Sequence, residues 1–263
     1  AGPVVGGSRV TVLGAGFPPV ATLRCRFEGS SSASVARRTS ESQLECAALP
    51  AAGAGARVVE VSVNGQQFSE SNVTFTYRPA VVVSSVWPTR GVAEGGTPVT
   101  VLGSGFSAAA EAMGALLCRF NATVAAAAFV SETALICNAS ASAAGYVAVE
   151  VSTNGQEYTT SGVHFEVFSV SIDELTPWSG PVQAGTPVTI TGARLAHVEM
   201  LRCWFHWPDT STRPQEDLEY PAPVAASAHA ADGVRCLSPV GLSTGWVGVE
   251  LLSYNTPLHS TSS

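Results

Sequence analysis

The sequence predicts an all-β protein made of three tandem β-sandwich repeats. Three observations carry that reading. The segment VTVLGAGF at 10–17 returns as VTVLGSGF at 99–106 and as VTITGARL at 188–195, 89 residues apart each time. Within each repeat apolar residues recur at every second position, the period of a strand with one buried face. The six cysteines fall two per repeat, in matching surroundings. A period near 90 residues exceeds that of solenoid repeats and suits a small sandwich. The boundaries read as 1–78, 79–168 and 169–263.

The strands follow in order. Val59, Val61 and Val63 alternate with Glu60 and Ser62, and Val147, Val149 and Val151 alternate with Ala148 and Glu150. Both runs lead into Asn-Gly, at Asn64-Gly65 and Asn154-Gly155, and then into a second alternation ending at Phe75-Thr76-Tyr77 or Phe165. Asn-Gly supplies the two positive φ values of a type I′ turn, so both are read as tight hairpins. The third repeat is longer because HWPDTSTRPQEDLEYPAP lies between its two cysteines, and this is read as a loop insertion over about 206–223. Helical signals are weak. The Ala-rich run Ala108 to Ala112 is expected to form at most one turn of helix.

Composition excludes several classes of function. The chain of 263 residues is 46% hydrophobic and 13% charged, with a formal net charge of -7. Nucleic-acid affinity rests on a concentrated basic footprint, and none is present. Every basic residue is Arg and Ala is abundant, as in Ala125 to Ala128, a pattern a GC-rich genome explains. No stretch reaches 18 consecutive apolar residues, so no membrane insertion by this segment is expected, and the start lacks the pattern of a signal peptide. The abrupt start and end relative to the repeat read as a piece of a longer polypeptide.

The cysteines sit on inward faces. The first of each pair lies in Leu23-x-Cys25-x-Phe27, Leu116-x-Cys118-x-Phe120 and Leu201-x-Cys203-x-Phe205, with all three apolar residues on one strand face. The second follows an apolar residue two places earlier: Leu44 before Cys46, Leu135 before Cys137, Val234 before Cys236. One pair per repeat favours Cys25 with Cys46, Cys118 with Cys137, and Cys203 with Cys236. Each bridge then closes a loop of roughly 20 to 34 residues and contributes about 3 kcal/mol. Three pairs of buried free thiols are the other reading. Disulfides imply an oxidising, extracellular setting. Three N-glycosylation sequons, at Asn72, Asn121 and Asn138, point the same way, and Asn72 is placed on the strand after the first hairpin, facing outward.

The order of motifs resembles one family. Val86-Trp87-Pro88 through Gly91, then Gly95-Gly96-Thr97-Pro98-Val99-Thr100-Val101, Gly103-Ser104-Gly105-Phe106, the Leu-x-Cys-x-Phe strand, the second cysteine and the strand to Asn154-Gly155 resemble an IPT/TIG domain. The resemblance runs over the chain three times and implies tandem immunoglobulin-like sandwiches of the plexin and fibrocystin type. Short connections, Tyr77-Arg78-Pro79-Ala80 and Phe168-Ser169, add the expectation of an extended, semi-rigid rod. Each copy departs from the pattern. The first lacks the opening strand, and the third replaces Asn-Gly by Asn255-Thr256, turns Gly-x-Gly-Phe into Gly192-Ala193-Arg194-Leu195 and stops before the final strand.

Catalytic chemistry finds no support. The chain holds no Gly-x-Ser-x-Gly elbow, no His-Glu-x-x-His, no P-loop and no dinucleotide fingerprint, and its five histidines fall at non-equivalent places. No cofactor is implied. Cys203 and His206 have zinc-like spacing, but the other repeats offer no neighbouring His. Asp173-Glu174 is a candidate calcium site and Glu216-Asp217-Leu218-Glu219 a candidate protein contact, each weighed against a solvated loop. Trp87, Trp178, Trp204, Trp207 and Trp246 are read as carbohydrate platforms or, for Trp87 and Trp178, as packing at the joints between repeats. The expected function is a non-catalytic structural or assembly module of a large glycoprotein, extracellular or on the cell surface, including the flagellar surface as in a mastigoneme. Its partners would be N-linked glycans and other domains or copies of the same glycoprotein. The alternative is the ectodomain of a receptor or adhesion protein binding through the insertion. A Rel-like DNA-binding domain, a third option, is opposed by charge, cysteines and sequons.

Overall fold

The computed structural model describes residues 1–183, 185–206, 222–229, 233–240 and 244–258. The first copy supplies β1 (Gly2–Pro3), β2 (Arg9–Leu13), β3 (Arg24–Phe27), β4 (Ala33–Ser40), β5 (Gln43–Ala47), β6 (Gly55–Ser62) and β7 (Thr74–Arg78). The second supplies β8 (Val82–Trp87), β9 (Arg90–Val92), β10 (Pro98–Ser104), the short helix α1 (Ala108–Ala112), β11 (Leu117–Phe120), β12 (Thr123–Ser131), β13 (Ala134–Asn138), β14 (Gly145–Ser152) and β15 (His164–Phe168). The third supplies β16 (Glu174–Thr176), β17 (Pro187–Thr191), β18 (Leu201–His206), β19 (Val224–Ala225), β20 (Ser227–His229), β21 (Gly233–Leu237), β22 (Gly248–Ser253) and β23 (Thr256–Pro257), with one 3-10 turn at Leu195–His197. Two compact units result, one of residues 1–85, 101–137 and 149–163, the other of 86–100, 138–148 and 164–263.

In the first unit the first copy forms a ladder in the order β1-β7-β6-β3-β4-β5-β2. Its centre is the strand switch in β4. Ala33 to Val35 pair with β3 and Ala36 to Ser40 pair with β5, with a register shift between Arg38 and Ser40. The switch folds the ladder over, so Cys25 on β3 faces Cys46 on β5, Cα atoms 6.3 Å apart, and the two are bonded. Leu23, Phe27, Leu44 and Val59 bury around this bridge. The same switch recurs in β12, whose first half pairs with β11 and second half with β13, bringing Cys118 to Cys137.

The second unit holds β9, β15 and the first half of β14. There β15 runs antiparallel to Gly145–Ala148 and parallel to β9. The third copy makes two four-stranded sheets, β16-β17-β21-β20 and β19-β18-β22-β23. Its strand switch is split at Ala226, with β19 on β18 and β20 on β21. Cys203 and Cys236 are bonded within a core of Val188, Ile190, Leu195, Phe205, Val234 and Leu251.

Inward alternation explains these elements: Leu23, Cys25 and Phe27 are at most 1% exposed, while Arg26 between them is exposed. The outward residues form a repeated clip. Arg26 pairs with Glu60 on β6 and lies 4.1 Å from the Phe68 ring, and Arg119 pairs with Glu150 on β14 and lies 4.2 Å from the Tyr158 ring. Such stacks hold the chain beyond each Asn-Gly against its own sheet.

The Asn-Gly hairpins differ from the reading of the sequence. A type I′ turn needs positive φ at both central residues, yet only Gly65 and Gly155 have it, and β6 and β7 are separated by residues 63–73. Asn64 folds its carboxamide back instead: Oδ1 accepts from the backbone N–H of Gln66 at 2.9 Å and Gln67 at 3.0 Å, while Ser62 Oγ accepts from Gly65 at 2.8 Å. This local capping competes successfully with the two-residue turn. The tight turn occurs where the sequence reading had seen it lost. Tyr254 (φ 48°) and Asn255 (φ 67°) join β22 directly to β23, with Ser253 opposite Thr256. Asn72 likewise precedes β7 in the loop rather than lying in the strand, although it is exposed as expected.

Candidate interaction sites

A sandwich repeat offers its end loops for contact, and here two sets of polar end loops repeat. One is the loop before the second strand, Gly6-Gly7-Ser8 and Gly95-Gly96-Thr97, with Gly185-Thr186 at the matching place in the third copy. The other is the capped turn Asn64-Gly65-Gln66-Gln67 and Asn154-Gly155-Gln156-Glu157. The equivalent of Asn154 in the third copy is Tyr254, because Cys118 lies opposite Val151 as Cys203 lies opposite Leu251.

The turn at 154–157 docks on the loop of the first copy. Gln156 Oε1 accepts from the Arg9 backbone N–H at 2.7 Å, and its Nε2 donates to the Arg9 carbonyl at 3.2 Å, as a neighbouring strand would. Ser8 Oγ, 1% exposed as a residue, donates to Glu157 Oε2 at 3.0 Å and accepts from Asn154 Nδ2 at 3.2 Å. Every partner is polar, and a buried hydroxyl satisfied by a carboxylate is costly to leave alone.

The second junction uses the same positions with different chemistry. Thr256 of the tight turn covers Gly96, where a methyl group would come within 2.1 Å of Thr256 Oγ1. Val92 and Phe168 are buried in the same apolar cluster as Val170 and Leu258. Glu166 sits between Arg90 at 3.7 Å and Arg194 at 3.6 Å, and the Arg194 guanidinium stands 5.6 Å from the Phe168 ring. Tyr254 Oη donates to Glu199 Oε2 at 2.8 Å, and burial followed by this carboxylate pushes its hydroxyl up to about 12. At the first junction the positions of Val92 and Phe168 are Pro3 and Arg78.

A third feature is a cleft of about 240 Å³ in the third copy. Phe205, Val188, Val247 and Val249 form its floor, and Trp178 and Trp246 stand at its rim. These two side chains are 78% and 79% exposed. Trp87 is 64% exposed. Of the two readings of Trp87 and Trp178, packing at the joints is not what their exposure favours; Val92 and Phe168 are buried at the second junction, and the polar turn at 154–157 meets Ser8 and Arg9 at the first. Trp204 is half-buried and stacks 4.8 Å from the His206 ring.

The remaining expected sites are placed as follows. Asn72, Asn121 and Asn138 are all exposed, and Asn121 occupies the left-handed region (φ 54°) between β11 and β12. Cys203 is bonded to Cys236, so its sulfur is not a thiolate ligand, and His206 Nε2 lies 3.3 Å from Glu250 Oε1. Asp173 and Glu174 are exposed, and no group of three metal-ligating side chains occurs among the described residues. Among those residues no helix is long and apolar enough to cross a membrane. The acidic run at 216–219 and Trp207 lie outside the described residues. Sequence reasoning missed Ser8, Gln156 and Glu157; their signal was polar repetition at turns, which strand periodicity does not require.

Comparison with known proteins agrees with this architecture. The IPT/TIG domain model matches residues 1–77 and 81–167. Fibrocystin-L of Homo sapiens is 41% identical over 108 residues, covering 39% of this chain and 2% of that protein, and Fibrocystin-L of Mus musculus is 39% identical over the same length. The chain thus spans a small fraction of the relatives it matches. Among solved structures, the full extracellular region of plexin A4 aligns with a TM-score of 0.55 at 17% identity, over 99% of this chain and 23% of that one, a likeness of fold. With more than half of its length matched by the family model, and a sandwich core bridged by cysteines in each copy, the chain belongs to the IPT/TIG domain family.

Proposed function

We propose that this chain is a non-catalytic structural and assembly module of a large extracellular or cell-surface glycoprotein. The observation that carries the reading is the repeated junction. Ser8 and Arg9 receive Asn154, Gln156 and Glu157, and Gly96 receives Thr256, so equivalent surfaces are spent on joining copies. Three disulfides suit an oxidising compartment, and the exposed Asn72, Asn121 and Asn138 are open to N-linked glycans. Partners in this reading are neighbouring domains or copies of the same glycoprotein. A surface appendage of flagellated cells, of the mastigoneme kind, is its most concrete form. Immunogold labelling of native source cells with an antibody against this segment tests it. Label spaced regularly along an extracellular fibre is the expected result, and nuclear label overturns it.

A second reading, the ectodomain of a receptor or adhesion protein, is favoured by the Trp178 and Trp246 cleft in the longer third copy. Deleting residues 207–223 separates the two. A receptor loses its protein ligand while remaining folded, whereas a spacer binds and assembles as before.

A further inference from the structure

The third copy holds a cation where the other copies have a glycine. The motif Gly14-Ala15-Gly16-Phe17 returns as Gly103-Ser104-Gly105-Phe106 and as Gly192-Ala193-Arg194-Leu195. Gly16 and Gly105 have φ of 70° and 82°, and Arg194 keeps the same left-handed backbone at φ 63°. A side chain there meets a steric clash that glycine escapes, so the position is strained. Its neighbours impose the strain. Ala193 donates its N–H to Ser171 Oγ at 3.0 Å, the Arg194 carbonyl accepts from the His197 N–H at 3.1 Å, and Leu195 is 1% exposed. Local stability favours glycine, and strain of this kind gathers where a side chain has a task.

The Arg194 side chain reaches across the second junction. Its Nη2 lies 3.6 Å from Glu166 Oε1, Arg90 Nε lies 3.7 Å from Glu166 Oε2, and the Arg194 guanidinium stands 5.6 Å from the Phe168 ring. Arg90, Glu166 and Phe168 belong to the second copy, so one carboxylate is shared by a cation from each side of the joint. Both separations exceed hydrogen-bond length, which makes the attraction Coulombic. The Arg90 and Arg194 side chains are 47% and 51% exposed, so dissolved ions screen the group. Burial of Val92 and Phe168 holds the copies together without direction, and the charges add direction. At the first junction the matching positions are Ala1, Thr76 and Gly105, none of them charged.

We infer that Arg194 is a positioning residue that latches the third copy to the second through Glu166, keeping this joint stiff in dilute salt and releasing it to bend in concentrated salt. The first joint rests on hydrogen bonds to Ser8 and Arg9 and responds less to salt. The inference goes beyond the assembly reading and is tested on the chain itself.

The test compares residual dipolar couplings, in a neutral stretched gel, from amides 88–100, 138–148 and 164–168 of the second copy with those from 187–191, 201–206 and 248–253 of the third. At about 0.01 M salt, where the screening length is about 30 Å, the two sets should share one alignment. Arg194→Gly removes the cation and relieves the backbone. The third set should then lose order relative to the second, the ratio of latched to bent joint falling about two- to fivefold, while the thermal midpoint does not fall. A merely structural role predicts the reverse, a lower midpoint with unchanged couplings. Arg194→Lys keeps the charge and should restore most of the order. Glu166→Gln should match Arg194→Gly and add nothing to it in the double variant. At about 1 M salt, where the screening length is about 3 Å, the parent chain should behave as Arg194→Gly does. A shared alignment retained by Arg194→Gly, additive losses in the double variant, or a parent chain indifferent to salt overturns the inference.

Discussion

The second and third copies share a core and differ at one edge. In the second, Phe165 closes the sheet over Gly91; in the third, Gly180 faces a cleft. In the third copy the bridge from Cys203 to Cys236 is packed by Phe205, Val234 and Leu251. The bridged face is thus common to both copies, and the edge beside it differs among the described residues. The turns differ in the same region. Asn154 caps a wide loop with its side chain, whereas Tyr254 and Asn255 use backbone conformation to turn in two residues. A wide loop presents Gln156 and Glu157 to Ser8 and Arg9, and a tight one presents only Thr256 to Gly96.

The largest effect is expected at the edge of the second copy. Phe165→Ala deletes a fully buried ring and should cost about 3–5 kcal/mol, read as loss of the denaturant midpoint with exchange appearing in residues 145–148. Preserved protection there would break the comparison. Removing a bridge asks how much each copy relies on it. Cys203→Ala with Cys236→Ala should cost about 2–5 kcal/mol and unfold the third copy first, while Cys118→Ala with Cys137→Ala acts on a copy already closed by β15. Equal melting of the two double variants would break the contrast between the copies.

The junctions offer a smaller effect. Gln156→Ala removes two hydrogen bonds to the Arg9 backbone and should weaken the joint by about 1 kcal/mol without changing the stability of either sandwich. Residual dipolar couplings on the variant check this as increased motion between the copies. The smallest effect is a titration. Tyr254 is raised because burial and Glu199 disfavour its anion, so its folded-state stabilisation is present below the ordinary tyrosine value and is lost as pH rises from about 10 towards 12. Ultraviolet titration should show a late tyrosine step that Tyr254→Phe abolishes.

Much of the architecture was legible because it repeats. Alternation placed Leu23, Cys25 and Phe27 on one face, and the structure buries all three. The Asn-Gly hairpins were misread because the dipeptide is compatible with two turns, and the choice fell to Ser62 and Ser152, whose hydroxyls accept from Gly65 and Gly155. Two readings of Trp87 and Trp178 stood open because amphipathic rings suit joints and rims equally; both are exposed, and Trp178 lines a cleft. The junction residues were invisible since a hydrogen bond between Ser8 and Glu157 spans 149 positions and leaves no period.

By itself the sequence determined the class of fold, its tandem character and the face each cysteine occupies, because those follow from local alternation and from repetition along the chain. Tertiary structure alone decided which turn forms, that the first junction rests on hydrogen bonds to Ser8 and Arg9, and that the second adds the buried apolar pair Val92 and Phe168 to its ion pairs. Each of these depends on which distant groups meet, and the balance between a satisfied polar group and a buried apolar one is settled only when they do.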